Sequence, residues 1–360
     1  MKRLVWMAAF GSLAITLLAA ATVCITSGCS TLGYYSQSAG GHLALVNAAR
    51  PVSQWLADES APPALKERLA LSQRIRDFAV AELHLPDNAS YRRYADLQRP
   101  AAVWNVVAAP ELSLTLQTWC FPVVGCVGYR GYFDRALADA FAAEQRALGF
   151  EVNVYPVPAY STLGALPGDW FADPLLNTFI HYPEGELARL VFHELAHQVV
   201  YVAGDTAFNE AFATAVERIG GQRWLAERAG DKARAEYAEF EGRRRDFREL
   251  TRSYRDRLAG IYASAASDAE KRSSKAELMQ RLRADFDVMK RERWGGFAGY
   301  DGWFARANNA AIGVLSAYTE LAPGFERLFE REGRDFARFY AAVRRIAALD
   351  KDARRAVLTR

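Results

Sequence analysis

The chain has 360 residues, 51 % of them hydrophobic and 24 % charged, with a formal net charge of +3. This is an ordinary globular composition, long enough for one large core or two smaller ones. The charge is spread over segments of mixed sign, which gives no basis for a nucleic-acid partner, and no repeat or low-complexity tract appears.

Residues 1–28 read as a signal peptide. Lys2 and Arg3 form a positive start, residues 4–25 carry no charge, and Thr26-Ser27-Gly28-Cys29 follows. Small residues before a cysteine resemble the lipobox of bacterial lipoproteins, in which Cys29 is lipidated and becomes the mature N-terminus. The alternative is an uncleaved signal anchor, since an apolar run beyond 18 residues can span a bilayer. Either way the body faces out of the cytoplasm. Ser30 after the cysteine resembles the default for outer-membrane sorting, so a lipid-anchored protein facing the periplasm is expected. Residues 29–41 read as a polar tether.

Two helices are expected next, over 43–56 and 63–83. In the second, Leu65, Leu69, Ile75, Phe78, Val80 and Leu83 form an apolar stripe, and Pro86-Asp87-Asn88 makes a turn after it. From 101 to 133 the pattern changes to short runs rich in Val, Trp, Tyr and Phe: AVWNVVA, LSLTLQTW and VGYRGYF. These read as strands. A helix over 134–148 and a strand over 152–157 complete a small α/β layer. Residues 157–163 are either the edge strand of a substrate cleft or an ordinary loop. Cys120 and Cys126 enclose Pro122 and Gly125; in an oxidising envelope they read as a disulfide, and a second metal site there would lack histidines.

Only five histidines exist, and two of them fall in residues 190–198, LVFHELAHQ. His193, Glu194 and His197 make the pattern H-E-x-x-H. On a helix, positions i and i+4 share a face, so both imidazoles can reach one ion, with the glutamate beside its open coordination position. The flanking residues are nearly all apolar, which reads as a buried helix, and buried polar groups need partners. His84 and His181 read as structural. Pro183-Glu184 fits the helix start, and Gly204 its end. Residues 205–217, DTAFNEAFATAVE, then read as a second helix capped by Asp205 or Thr206. Its two glutamates, Glu210 and Glu217, are seven apart and share a face. They are the candidates for a third ligand.

HELAH followed by Asn209-Glu210-Ala211-Phe212-Ala213 resembles the gluzincin metallopeptidases, whose N-E-x-x-A helix supplies the third zinc ligand. That resemblance implies Glu210 as the ligand and Glu217 as a residue supporting the ligands from behind. Twelve residues separate His197 from Glu210, where gluzincins usually have about eighteen or more; Glu217 fits that spacing better and is the alternative ligand. More of the chain resembles a narrower bacterial family, envelope lipoproteins classed as aminopeptidases, through SYRRYADL, WCFPVVGCVGYRGYF, YSTLG, DPLLNTF and HELAHQVVY. The resemblance is good over residues 29–225 and looser beyond.

Residues 222–293 are dominated by Ala, Arg, Glu, Lys and Asp, with aromatics at helical intervals, and read as a helical hairpin turning near 264–268. Its arginine clusters, such as Arg243-Arg244-Arg245, interleave with Glu239, Glu241, Asp246 and Glu249 and read as a solvated face with i, i+4 pairs. Residues 294–300 read as a loop and helices fill the end, one of them over 307–321. Tyr318 on that helix is a candidate oxyanion donor, with core packing as the competing account.

The expectation is an α+β, predominantly α protein with a zincin-like catalytic region over 42–225, a hairpin over 226–293 and C-terminal helices over 294–360. One zinc ion would be held by His193, His197 and Glu210, with Glu194 activating water to cleave a peptide substrate. Aminopeptidase and endopeptidase both remain open. Glu111 and Asp173 are available to hold a free amine. A lipoprotein that binds a partner around a structural zinc is the reading from another class.

Overall fold

The computed structural model describes residues 33–121, 125–162, 168–319 and 321–359. Cys29 and the signal segment lie outside them. Among the described residues no helix is long and apolar enough to cross a membrane.

The architecture is α+β and mostly helical, with three small sheets. A helix over 33–48 (α1) leads through β1 (Arg50–Pro51) to α2 (Val52–Ala57) and α3 (Pro63–Ala81). The tether expected over 29–41 is therefore helical from residue 33 onward. Tyr34 packs on the rings of Phe121 and Tyr132, and Gln37 accepts from the Phe133 amide at 3.1 Å. Gly41 lies so close to Phe133 that a Cβ there would fall 2.1 Å from the ring. Those contacts give α1 a tertiary surface, which is where most helical stability arises.

β2 (Arg93–Ala95) pairs antiparallel with β1 and parallel with β8 (Leu175–Leu176). The main antiparallel sheet has β3 (Val103–Pro110) at its centre, between β6 (Arg130–Tyr132) and β7 (Phe150–Val157). α4 (Arg135–Ala147), capped by Asp134, packs on this sheet. β4 (Trp119–Phe121) and β5 (Gly125–Val127) form a separate hairpin in which Cys120 and Cys126 sit opposite each other, joined by a disulfide.

Two expectations for this layer are corrected. The run LSLTLQTW forms no ladder before Trp119. Leu114 and Leu116 turn instead toward α10 (Asn309–Thr319), where Gly313 lets the backbone approach: a Cβ on it would meet the Leu114 carbonyl at 2.7 Å. The strand also ends at Val157, and 158–162 are irregular; Leu163 lies outside the described residues.

The main core surrounds α5 (Glu184–His197) and α6 (Thr206–Glu227). Phe192, Phe208 and Phe212 are fully buried there with Phe325 of α11 (Ala322–Arg331) and Phe339 of α12 (Phe336–Ala347). Tyr340 donates to the Leu83 carbonyl at 2.8 Å, so the C-terminal helices close the same core as α3. A boundary at 225 would split that core. α7 (Asp231–Ala263) and α8 (Asp268–Arg293) form the expected hairpin, with a Ser267–Glu270 capping box at the turn. A second aromatic cluster, including Phe247, Phe286 and Trp294, binds the hairpin to α9 (Asp301–Arg306). α13 (Lys351–Thr359) ends the described chain.

Candidate metal centre

The geometry begins with how closely α5 and α6 approach. Gly220 and Gly221 lie where any Cβ would collide: 2.6 Å from Leu83 Cδ1 and 3.0 Å from Phe192 Cδ2 for the first, 2.7 Å from Arg189 Cγ for the second. Two adjacent glycines thus remove the bulk that would hold the helices apart. The connection between them is short and tied down. α5 stops at His197, seven residues before Gly204, which is not the helix terminator expected but part of the following turn. Asp205 caps α6 by accepting from Phe208 N, and its other oxygen receives the buried Arg354 guanidinium at 2.9 Å. Asn209 staples the loop with two reciprocal bonds to Val202, donating to its carbonyl and accepting from its amide, each at 2.8 Å. The next residue is Glu210. Gly125 at the tip of the disulfide hairpin, with φ +75°, packs against the backbone of Gly204, leaving 2.5 Å to the Gly204 nitrogen where a Cβ would stand.

With the helices so placed, three side chains converge. His193 Nε2 lies 3.2 Å from His197 Nε2 and 3.2 Å from Glu210 Oε2, and His197 Nε2 is 3.9 Å from Glu210 Oε1. All three donor atoms fit within 4.8 Å of one another, and no further His, Cys, Asp or Glu joins them among the described residues. Glu217 stands on the opposite side of the same imidazole, 3.0 Å from His193 Nδ1. The two glutamates therefore bracket His193, one at each ring nitrogen. Behind Glu217, Arg189 pairs with it and reaches Glu241 of α7 at 3.1 Å; Glu241 also receives Arg244 at 2.7 Å and Arg248 at 2.6 Å.

The electrostatics favour a cation between these donors. With His193 donating from Nδ1 to Glu217, its Nε2 faces a carboxylate and a second imidazole, a position that calls for either a proton or a cation. Burial opposes protonation of His193, but its hydrogen bonds to Glu210 and Glu217 hold it well above the usual imidazole range. The protein alone thus draws one positive charge into the cluster. Burial keeps His197 neutral, down to about 4. Against burial, the two histidines hold Glu210 below the carboxylate norm; against burial too, Arg189 and His193 bring Glu217 down to about 2. The separations match a metal as well. Tetrahedral zinc with bonds of about 2.0–2.1 Å needs ligand atoms about 3.3–3.4 Å apart, close to the two 3.2 Å edges seen. Two imidazoles and a carboxylate suit zinc. The residues fit the ion.

Glu194 points into the same surroundings, where burial pushes its carboxyl up to about 7. Burial, with the Glu210 charge within electrostatic reach, raises the phenols of Tyr129, Tyr155 and Tyr201. These tyrosines were not singled out from the sequence. Arg189 was missed too, although a lone arginine four residues before His193, inside an apolar helix, is a readable signal. The side chain of Tyr318 lies outside the described residues, while its backbone belongs to α10. Neither candidate for holding a free amine is free. Glu111 pairs with Arg272 at 2.8 Å, and Asp173, buried, accepts from Ser161 Oγ, Thr162 N and Thr162 Oγ1. His84 and His181 are exposed and away from the cluster.

A cleft of about 970 Å³ opens beside the cluster. His193 and Glu194 of α5, Thr214 and Glu217 of α6, and residues within 244–256 of α7 contribute to its lining. His193 and Glu210 each keep 14 % of their side-chain surface exposed, so the cluster can be reached from solvent.

The chain belongs to the family described as "Putative aminopeptidase", which matches residues 33–358 and so takes in the hairpin and the C-terminal helices. No curated protein and no solved structure matches it.

Proposed function

We propose that the protein is a zinc metallopeptidase of the aminopeptidase type, anchored to the bacterial envelope through a lipidated Cys29 and facing the periplasm. The observation that carries the chemistry is the convergence of His193 Nε2, His197 Nε2 and Glu210 Oε2, with Glu217 fixing His193 from behind. Three ligands at a solvent-reachable cleft are the number that leaves a position for substrate, whereas a structural site is closed by a fourth. His193, His197 and Glu210 would hold the ion, which when bound supplies Lewis-acid polarisation of the scissile carbonyl and of water.

The chain's own residues do the rest. Glu194 takes a proton from the attacking water and delivers it to the departing amine; its burial, which favours the neutral acid, makes that second transfer possible near neutral pH. Glu217 accepts from His193 Nδ1, which fixes the tautomer with Nε2 free for the ion. Arg189 in turn keeps Glu217 ionised. The family description supports exopeptidase over endopeptidase specificity.

The test is zinc content together with hydrolysis for wild type and Glu194→Gln. The variant should keep about one zinc per chain while peptide cleavage falls about 10²- to 10⁴-fold. Cleavage at the wild-type rate would remove Glu194 from the mechanism. Absence of bound zinc in wild type would leave the partner-binding lipoprotein. Comparing a free-amine peptide with its N-acetylated form separates exopeptidase from endopeptidase.

A further inference from the structure

The hairpin does more than brace α5. Along α7, Arg245, Arg248, Arg252 and Arg255 recur at intervals of three and four, which places them on one helical stripe. All four line the cleft that also holds His193 and Glu194. Their ion pairing is uneven. Arg248 is engaged by Glu241 at 2.6 Å, and Arg255 has only its chain neighbour Asp256 at 3.6 Å. Among the described residues Arg245 and Arg252 have no carboxylate within ion-pair distance, although Glu249 and Asp256 line the same cleft. On another face of the same helix, Arg243 pairs with Glu239 four residues before it. So the i, i+4 pairing expected for the arginine cluster holds for Arg243, Arg244 pairs instead with Glu241 three residues before it, and Arg245 and Arg252 pair with no carboxylate among the described residues. Like charges three and four apart on a helix repel, and here they gather in the cleft that holds the catalytic candidates. Tyr182, Leu190 and Tyr300 give the cleft apolar surface. An extended chain with aliphatic stems and carboxylate tips matches both features.

We propose that this arginine stripe is the specificity wall of the cleft and that it selects peptides presenting carboxylates, through acidic side chains or a terminal carboxylate. The inference deepens the peptidase reading and rests on it for the fate of the peptide, not for its capture.

Binding is therefore measured apart from cleavage. The full chain carrying Glu194→Gln is titrated calorimetrically with three peptides: Ala-Ala-Glu-Glu-Ala amide, Ala-Ala-Gln-Gln-Ala amide and Ala-Ala-Gln-Gln-Ala free acid. A peptide with carboxylates should bind about tenfold more tightly than the neutral amide. That advantage should collapse when Arg245→Gln and Arg252→Gln are added. An advantage of the Glu amide points to side-chain carboxylates, and one of the free acid to the terminal group; either supports the wall. Equal binding of all three, undetectable binding included, overturns it, as does an advantage that survives the double substitution. Cleavage of the same peptides by wild type keeps the two readings apart. Acid-selective binding without cleavage refutes the peptidase and leaves the wall, whereas cleavage without acid selectivity does the reverse.

Discussion

Replacing each of the two α6 glutamates in turn separates the ligand from its support. Glu210 has both oxygens on the Nε2 side of the histidines, at 3.2 Å from His193 and 3.9 Å from His197. Glu217 has none there: Oε2 is on His193 Nδ1 and Oε1 is on Arg189. In Glu217→Gln the amide oxygen can still accept from Nδ1, and Arg189 keeps Glu241 at 3.1 Å. The loss is then that of a supporting group, about 10- to 100-fold in zinc affinity, or about 1.4–2.7 kcal/mol. Glu210→Gln removes a charged ligand itself and should exceed about 100-fold. Competition against a chromogenic chelator reads both constants, and a thermal melt of each apo-protein checks that the fold is intact. Glutamine rather than alanine is used because it keeps an acceptor for His193 Nδ1 and the volume beside Arg189, both of which alanine would remove. The reasoning is refuted if Glu217→Gln weakens zinc as much as Glu210→Gln does, or more.

Two further predictions concern stability. Glu186 is paired with Arg244, yet burial prevails and pushes its carboxyl up from 4.5 to about 7. The folded state therefore keeps a proton that the unfolded chain releases near 4.5; the resulting stability is full below that pH and lost as pH rises through about 7. Glu186→Gln should flatten this loss by up to about 3 kcal/mol between pH 4 and 8 in urea unfolding, the Arg244 pairing making that an upper bound. Identical pH profiles for the two proteins would exclude Glu186 as the source. Gly324 of α11 faces α13 so closely that a Cβ would stand 2.1 Å from the Leu358 carbonyl oxygen. Gly324→Ala should destabilise by about 2–3 kcal/mol or more, because backbone must move; a change under about 0.5 kcal/mol would mean that α13 is free to shift away.

The cluster was legible because its information is local. H-E-x-x-H encodes its geometry in helical periodicity, and N-E-x-x-A lies on the very next helix, so His193, Glu194, His197 and Glu210 could be read as one group before any fold was known. Spacing alone favoured Glu217 over Glu210. The structure puts both on His193 because the connection is shortened: α5 stops at His197 and Asn209 folds the loop back onto Val202. Residue counting measures contour length, and contour length says little once a loop is pinned by side-chain bonds. The alternating run LSLTLQTW failed for a related reason. Alternation reports that every second side chain is covered, and Leu114 and Leu116 are partly buried by packing near α10 without joining a ladder themselves.

The arginines of α7 show the remaining limit most clearly. Interleaved Arg and Glu imply pairing only if the partners share a face, and a linear sequence fixes this within one helix but not between helices. Glu241 illustrates the point: it lies within reach of Arg244 and Arg248 on its own helix, and it is also used by Arg189 of α5. That carboxylate is committed to the network behind His193, so acidic charge of the hairpin is drawn toward α5. Arg245 and Arg252, farther along the same wall, are left facing the cleft without it. The same interhelical pairing that steadies Glu217 thus exposes positive charge where a substrate would lie. Support of the cluster and selection of the substrate would then be two consequences of docking α7 against α5.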